Sequence, residues 1–462
     1  MRHIAAPTEG ARNRGPRRVS AAAVVRNGVR NRARGLRSAA TFLPARLREF
    51  FADLGPGLTT GAADDDPSGI STYSVTGASF GYAQLWTALF SFPLMVSVQL
   101  MSARLGMVTG RGLAGVVRRR YSRSVLWGAC ALLAVANVFN IGADLAGMAA
   151  ATELVSGVDS RLLVPLYAVT LVSLLFWSSY RWIARILKWL TLVLFAYVGA
   201  GFLARPDWHA ILGATFLPRV EWTPGYISTF VGIFGTTISP YLFFWQAGQE
   251  VEEERARGRT TVAEREGATD AEIRRSNIDT TVGMFFSNCV MYFIILTTAA
   301  TLHAHGVTSI TTAQEAAEAL RPLAGDAAYW LFTLGIVGTG MLSIPILAGS
   351  CAYAISEAAA WRGSLDDRPK DARAFYAVVA VAMAIGLGLD FFGFNAVAML
   401  FWSAVVNGVL APPLIVLIVL LTSDPAVMGR TRTNPLWLRT LGWTTALVMG
   451  AAAVAMLVTA IM

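Results

Sequence analysis

Leu54-Gly-Pro-Gly-Leu-Thr-Thr-Gly-Ala-Ala-Asp64-Asp65-Asp66-Pro67-Ser68-Gly69 sets three consecutive carboxylates, a proline and a glycine inside an apolar stretch. Between polar flanks an Asp-Asp-Asp-Pro-Ser-Gly run would be a water-exposed turn. Here residues 54–63 and 70–86 are apolar on both sides. Hydrocarbon offers the backbone no hydrogen bonds, so acids and a proline in mid-span need a local reason. Proline removes a donor and glycine tolerates unusual torsions, so the stretch reads as a membrane-spanning helix broken at its centre, with its acids at the break.

The rest of the chain supports a bilayer setting. Of its 462 residues, 55% are hydrophobic and 15% charged, whereas a soluble domain carries about 25% charged residues. Apolar spans fall near 50–80, 83–108, 125–150, 161–179, 186–204, 226–247, 281–302, 328–357, 374–391, 396–422 and 438–461, each near or above the roughly 20 residues that cross a bilayer. The sixth is also interrupted, at Gly235-Thr236-Thr237-Ile238-Ser239-Pro240-Tyr241. Breaks in spans one and six are the spacing of two five-helix repeats in inverted topology, whose unwound segments meet near mid-depth. The expected architecture is therefore an all-α polytopic membrane protein of about eleven spans. Repeat one covers about 50–204, repeat two about 226–422, and an extra span 438–461.

Basic residues give the orientation. Of 38 Lys and Arg, 36 are arginine. Twelve lie in residues 1–48, a stretch with Glu9 as its only acid; no apolar core follows as in a secretory signal, and a disordered cytoplasmic tail is expected. With the N-terminus inside, alternating connectors place twenty-two basic residues inside, among them Arg111, Arg118, Arg119, Arg181, Arg185, Lys188 and Arg362. Only Arg161, Arg205, Arg219 and Arg321 lie outside. That asymmetry obeys the positive-inside rule and puts the C-terminus outside. The net charge of +9 thus belongs to topology rather than to nucleic-acid binding. Cys130, Cys289 and Cys351 stand far apart in apolar runs and read as buried hydrophobes.

Aspartates, hydroxyls and backbone carbonyls are hard oxygen donors, suited to Mg2+, Ca2+ or Mn2+. Carboxylates at the break argue against an anionic substrate, and an amino-acid or organic-cation symporter of this architecture would have an uncharged, glycine-rich first break. A membrane metalloenzyme would want histidine ligands, yet His3, His209, His303 and His305 all lie away from mid-span. The expected function is cation transport, with no cofactor, no obligate protein partner and the bilayer as surroundings. Beyond the breaks, Asp144 sits inside span three beside Asn137 and Asn140; it is read as functional, with a buried structural role as the competing reading. Gln246 and Glu250, past the second break, either line a cytoplasmic exit path or belong to a helix running on into the charged connector.

The Gly55-Pro56-Gly57 start, the Asp66-Pro67 and Ser239-Pro240 breaks, Ala143-Asp144-Leu145-Ala146 and the passage 314–349 resemble the Nramp family of divalent metal transporters over roughly residues 50–460. The resemblance implies a LeuT-like fold with metal held between spans one and six. It also implies ligands at Asp66, the carbonyl of Ala63, Gly69, the carbonyl of Thr236 and Ser239. From the run itself Asp65 is a further candidate ligand; in the other reading Asp66 alone faces the site, while Asp64 and Asp65 point toward a vestibule or cap the next half-helix. Asp64, Asp144, Thr237, Tyr241, Gln246, Glu250 and Asn407 would line the path. Typical members read Asp-Pro-Gly-Asn in span one and carry a methionine and a histidine around the span-six proline; here the asparagine is Gly69 and the other two are Ser239 and Tyr241. Without the thioether the site loses its soft donor and favours Mg2+ and Mn2+ over Fe2+, as in the Nramp-related magnesium transporter branch. The second span-three acid of the family is Gly147, and a tyrosine of pKa about 10 does not shuttle protons near neutrality. Transport uncoupled from protons, in a bacterial plasma membrane, is the expectation; proton-coupled Mn2+/Fe2+ transport is the alternative.

Overall fold

The computed structural model describes residues 56–177 and 190–461. The tail at 1–48 and the connector residues Arg181, Arg185 and Lys188 lie outside the described residues. Every regular element among the described residues is helical. In chain order these are α1 (Pro56–Asp64), α2 (Pro67–Phe80), α3 (Trp86–Thr109), α4 (Leu113–Arg120), α5 (Arg123–Ser156), α6 (Ser160–Trp177), α7 (Ala196–Leu203), α8 (Trp208–Phe216), α9 (Pro224–Thr237) and α10 (Pro240–Ala256). There follow α11 (Val262–Arg265), α12 (Asp270–Thr301), α13 (Ala313–Glu318), α14 (Arg321–Ala324), α15 (Ala328–Ala359), α16 (Arg373–Asp390), α17 (Ala396–Ser423), α18 (Pro425–Met428) and α19 (Leu436–Ile461).

Both expected breaks are present. Asp65 and Asp66 separate α1 from α2, and Ile238 and Ser239 separate α9 from α10. Pro67 and Pro240 each open the second half-helix, where a missing N–H costs nothing because the first turn has no intrahelical acceptor to meet. Nine segments among the described residues are long and apolar enough to cross a membrane on their own. A shorter apolar helical stretch covers Leu192–Leu203, and α1 and α2 are each too short to cross alone. Span seven differs from expectation at its start: α12 begins at Asp270 rather than near 281, set by a capping box between Thr269 and Glu272. Much of the connector expected at 249–279 is therefore helix, and Glu252–Arg255 and Glu253–Arg257 pair along it at 2.7 Å each.

The broken helices sit at the centre. In the span that holds α9 and α10, 89% of the apolar window is buried, against 28% in α6 and in α19. Those outer helices bare Leu162, Leu166 and Val169, and Leu447, Val454 and Val458. Such apolar faces have no place in water; this is an integral membrane protein with a LeuT-like arrangement of two interrupted helices inside a ring of whole ones.

Lipid gives helices no hydrophobic reason to associate, so close backbone packing must hold them together. On α1, a Cβ added to Gly57 would lie 2.5 Å from the Thr280 nitrogen, and one added to Gly61 would lie 2.3 Å from the Gly283 carbonyl carbon. The α1–α12 contact is thus backbone against backbone. The Asp279 carboxylate accepts the Gly57 N–H at 2.7 Å, placing an anion at the positive end of α1. Replacing Gly61 by valine forces two backbones apart and is expected to lower the unfolding free energy by about 1–3 kcal/mol or more, read as a lower melting temperature in detergent; an unchanged melting temperature would refute the packing described.

Candidate functional site

The two breaks cross. At one contact the Tyr241 hydroxyl, in the first turn of α10, donates to the Ala63 carbonyl near the end of α1 at 2.7 Å. At the other, Gly69 in the first turn of α2 abuts the end of α9: a Cβ there would lie 2.8 Å from Thr236 Oγ1 and 3.5 Å from the Asp64 carbonyl oxygen. Two helix C-termini, α1 and α9, therefore bring their carbonyl ends together. Those ends carry partial negative charge, which favours a cation.

Asp66 stands at this crossing. Its backbone is extended, and Oδ1 caps α2 by accepting the Gly69 N–H at 2.8 Å and the Ser68 hydroxyl at 2.6 Å. Its Oδ2 is buried without a protein partner. Thr236 Oγ1 is likewise buried and unpartnered. Ser239 leaves α10 without a side-chain cap; its hydroxyl reaches back to the Gly235 and Thr236 carbonyls at 2.9 and 2.7 Å. Ala63, Asp66, Thr236, Ser239 and Tyr241 are all fully or almost fully buried, so the crossing is closed to solvent.

The other expected residues divide into three groups. Asp64 and Asp65 both turn to Ser287 of α12, whose hydroxyl lies 2.6 Å from Asp64 Oδ2 and 3.1 Å from Asp65 Oδ1. Asp65 is thus directed to α12 together with Asp64, while Asp66 takes the cap. Gly69 supplies no side-chain donor; its N–H is taken up by Asp66 and the Thr236 hydroxyl stands where a side chain would go. Thr237 is turned onto its own helix, donating to the Ile233 carbonyl at 2.8 Å. Asp144 receives the Ser343 hydroxyl at 2.9 Å and has its other oxygen unpartnered. Asn407 is buried with both amide atoms unpartnered, and its neighbour Gly408 packs against the α9 backbone at Val231. Further along α10, Gln246 accepts from Thr60 at 2.7 Å and donates to Glu250 at 3.1 Å, and Ser276 donates to Glu250 at 2.7 Å.

Ser287, Ser343 and the side chain of Thr236 were not legible as site residues. A lone serine in an apolar helix ordinarily bonds its own backbone, and nothing in the sequence marks these as facing acids. Among the described residues no three His, Cys, Asp or Glu side chains converge as a metal cage. The donors at the crossing are one free carboxylate oxygen with carbonyls and hydroxyls around it, a hard set of modest charge.

The profile of the family described as natural resistance-associated macrophage protein-like (Nramp) matches residues 57–459. The chain is a member of the Nramp family. It is 30% identical over 411 residues to the divalent metal cation transporter MntH of Xanthomonas campestris, covering 86% of this chain and 88% of that one. To MntH of Agrobacterium fabrum it is 27% identical over 415 residues, covering 88% and 86%. A crystal structure of the Eremococcus coleocola manganese transporter superposes with a TM-score of 0.68 at 22% identity, covering 89% and 87%. Within this Nramp chain, Ser287 holds two neighbouring carboxylates by one hydroxyl. Changing Ser287 to alanine should cost about 1.5–3 kcal/mol of stability, the range for hydrogen bonds to charged groups. Thr301→Ala, which removes a hydroxyl bonded to its own helix, should cost clearly less; equal melting temperatures for the two variants would remove Ser287 from the site.

Proposed function

We propose that this protein carries divalent metal cations across the membrane by alternating access, Mg2+ and Mn2+ in preference to Fe2+, without coupling to protons. One observation carries the reading: a buried, unpartnered carboxylate oxygen of Asp66 lies where the carbonyl ends of α1 and α9 meet. An isolated buried charge costs several kcal/mol, and a cation offsets that cost. In this reading Asp66 binds the ion together with the Ala63 and Thr236 carbonyls and the Thr236 and Ser239 hydroxyls. Asp64 and Asp65, next in the chain, add negative field. The names of the MntH relatives support divalent metal as cargo.

Preference for a hard ion follows from the all-oxygen set, with Ser239 where a thioether would stand. A small residue at 239 suits an ion that keeps part of its water. Two features support uncoupled transport. Tyr241 uses its hydroxyl to hold the Ala63 carbonyl, which is a latch between half-helices rather than a proton relay. At Gly147 a Cβ would lie 2.8 Å from Leu400 Cδ1, so the space for a second span-three acid is filled. The membrane potential then supplies the drive, about 4.6 kcal/mol per 100 mV for a divalent ion. The hydrogen-bonded file Thr60–Gln246–Glu250–Ser276 is the cytoplasmic exit in this reading, with Asp144 and Asn407 flanking the crossing. The arginine asymmetry supports a cytoplasmic N-terminus, an external C-terminus and the two repeats as bounded above.

Uptake into proteoliposomes under an inside-negative potential tests this, comparing Mg2+, Mn2+, Ca2+ and Fe2+. Asp66→Ala should abolish uptake of every ion. Uptake by the variant at the wild-type rate would sink the site, and acidification of the lumen in step with metal entry would establish the proton-coupled alternative.

A further inference from the structure

Away from the crossing, a cavity of about 1000 Å³ opens between α4, α10, α11 and the connector after α15. Arg111, Arg118, Arg119, Arg255, Arg265 and Arg362 line it, against two acids, Glu357 and Asp367. All six arginines belong to segments that the charge asymmetry assigns to the cytoplasmic side. Of the acids, Glu357 is already engaged: its carboxylate accepts the Gly112 and Gly115 N–H groups at 2.9 Å each, filling the start of α4. The guanidinium groups are less fully answered. Arg255 pairs with Glu252 at 2.7 Å, and Arg265 donates to the Arg259 and Thr260 carbonyls at 3.1 and 2.7 Å. Arg119 has Glu266 at 3.8 Å in an exposed pair of little value. Arg111 has its Nε buried without a partner. Burial first, and then neighbouring Arg119, draw the Arg111 guanidinium below its ordinary range; burial, then Arg255, do the same to Arg265. Nearby acids offset this in part, Glu266 and Glu357 at Arg111 and Glu252 and Glu254 at Arg265.

We propose that this cavity binds a phosphate-bearing polyanion, either a soluble polyphosphate or the headgroup of an anionic lipid. Guanidinium forks match phosphate oxygens two at a time. The cavity lies at the upper end of the range of small-molecule sites, about 300–1000 Å³, too large for one small ion. It is a poor passage for a divalent cation, which six arginines repel. It also stands apart from the file described above. On a helix turning 100° per residue, Gln246 and Glu250 share one face of α10, and Val251 and Arg255, which line the cavity, share the next. The N-terminal tail is a poor occupant, since it carries twelve arginines and a single acid through residue 48. A bound polyanion would tie α10, the half-helix that begins at the crossing, to α4 and to the connector at Arg362, and so regulate its movement.

The test is binding to the full-length protein with EDTA present, so that chelation of transported metal plays no part. Pyrophosphate or ATP should raise the melting temperature of detergent-purified protein saturably, with inorganic phosphate weaker. Arg111→Gln/Arg362→Gln should weaken that binding at least tenfold, while Arg161→Gln, on the opposite side, leaves it unchanged. A second pair, Arg118→Gln/Arg119→Gln, guards against a folding defect in the first. In nanodiscs, phosphatidylglycerol added to phosphatidylcholine stabilises wild type and not the double variants if the headgroup is the occupant; a response to soluble polyphosphate alone assigns the site to a free ligand. Absence of any response in both settings, or the same response from wild type and both double variants, would overturn the proposal.

Discussion

A helix inside hydrocarbon must find a partner for every backbone N–H and C=O, and it gives up that closure only where something else takes its place. Here the closure is given up twice, and each loss is met by a named group. At the first break Asp66 answers the amides of α2 and Tyr241 answers a carbonyl of α1. At the second, the Ser239 hydroxyl answers the carbonyls of α9. Among the side chains left unanswered there are one oxygen of Asp66, one of Asp144 and the Thr236 hydroxyl. An oxygen-rich gap at the centre of a closed bundle is electrostatically suited to a positive ion.

The ring around the gap is built to hold it shut without hydrophobic pressure. Glycines on α1 and α9 bring backbones into contact, Gly61 against Gly283 and Gly235 against the Ala404 carbonyl. Serine and asparagine hydroxyls and amides supply the crosslinks, as in Ser343 to Asp144 and Asn137 to the Leu347 carbonyl at 2.8 Å. Packing and polar bonding thus converge on the same helices, α5, α9, α12, α15 and α17, and leave α6 and α19 to face lipid.

Much of this could be read from the chain because the violations were local. Three aspartates and Pro67 in an apolar run, and Ser239-Pro240 in another, break a rule strict enough that each exception carries meaning. Their pairing across five spans gave the fold. What escaped was set by rotation about helix axes. Whether Asp65 turns toward Asp66 or toward α12 depends on a hydroxyl more than two hundred residues away, at Ser287. Gly69 reads in sequence as a lost ligand, yet only the fold reveals Thr236 occupying its side-chain space. The start of α12 was misplaced for another reason: its first three turns are polar, and hydropathy registers the apolar part of a helix rather than its cap.

The backbone contact between α1 and α12 has a mechanical meaning. Two chains that meet with no side chain between them have no cushion in which to slide or roll, so a rocking motion must carry both as one lever. Both halves of the first span are therefore geared to the seventh, since Gly77 of α2 meets the Ile295 carbonyl as closely as Gly61 meets Gly283, and α10 is held in the same way to α3, where Gly106 meets the Ala247 carbonyl. Opening on one side then becomes a swing of coupled rods about two short unwound pivots, where displacement is least.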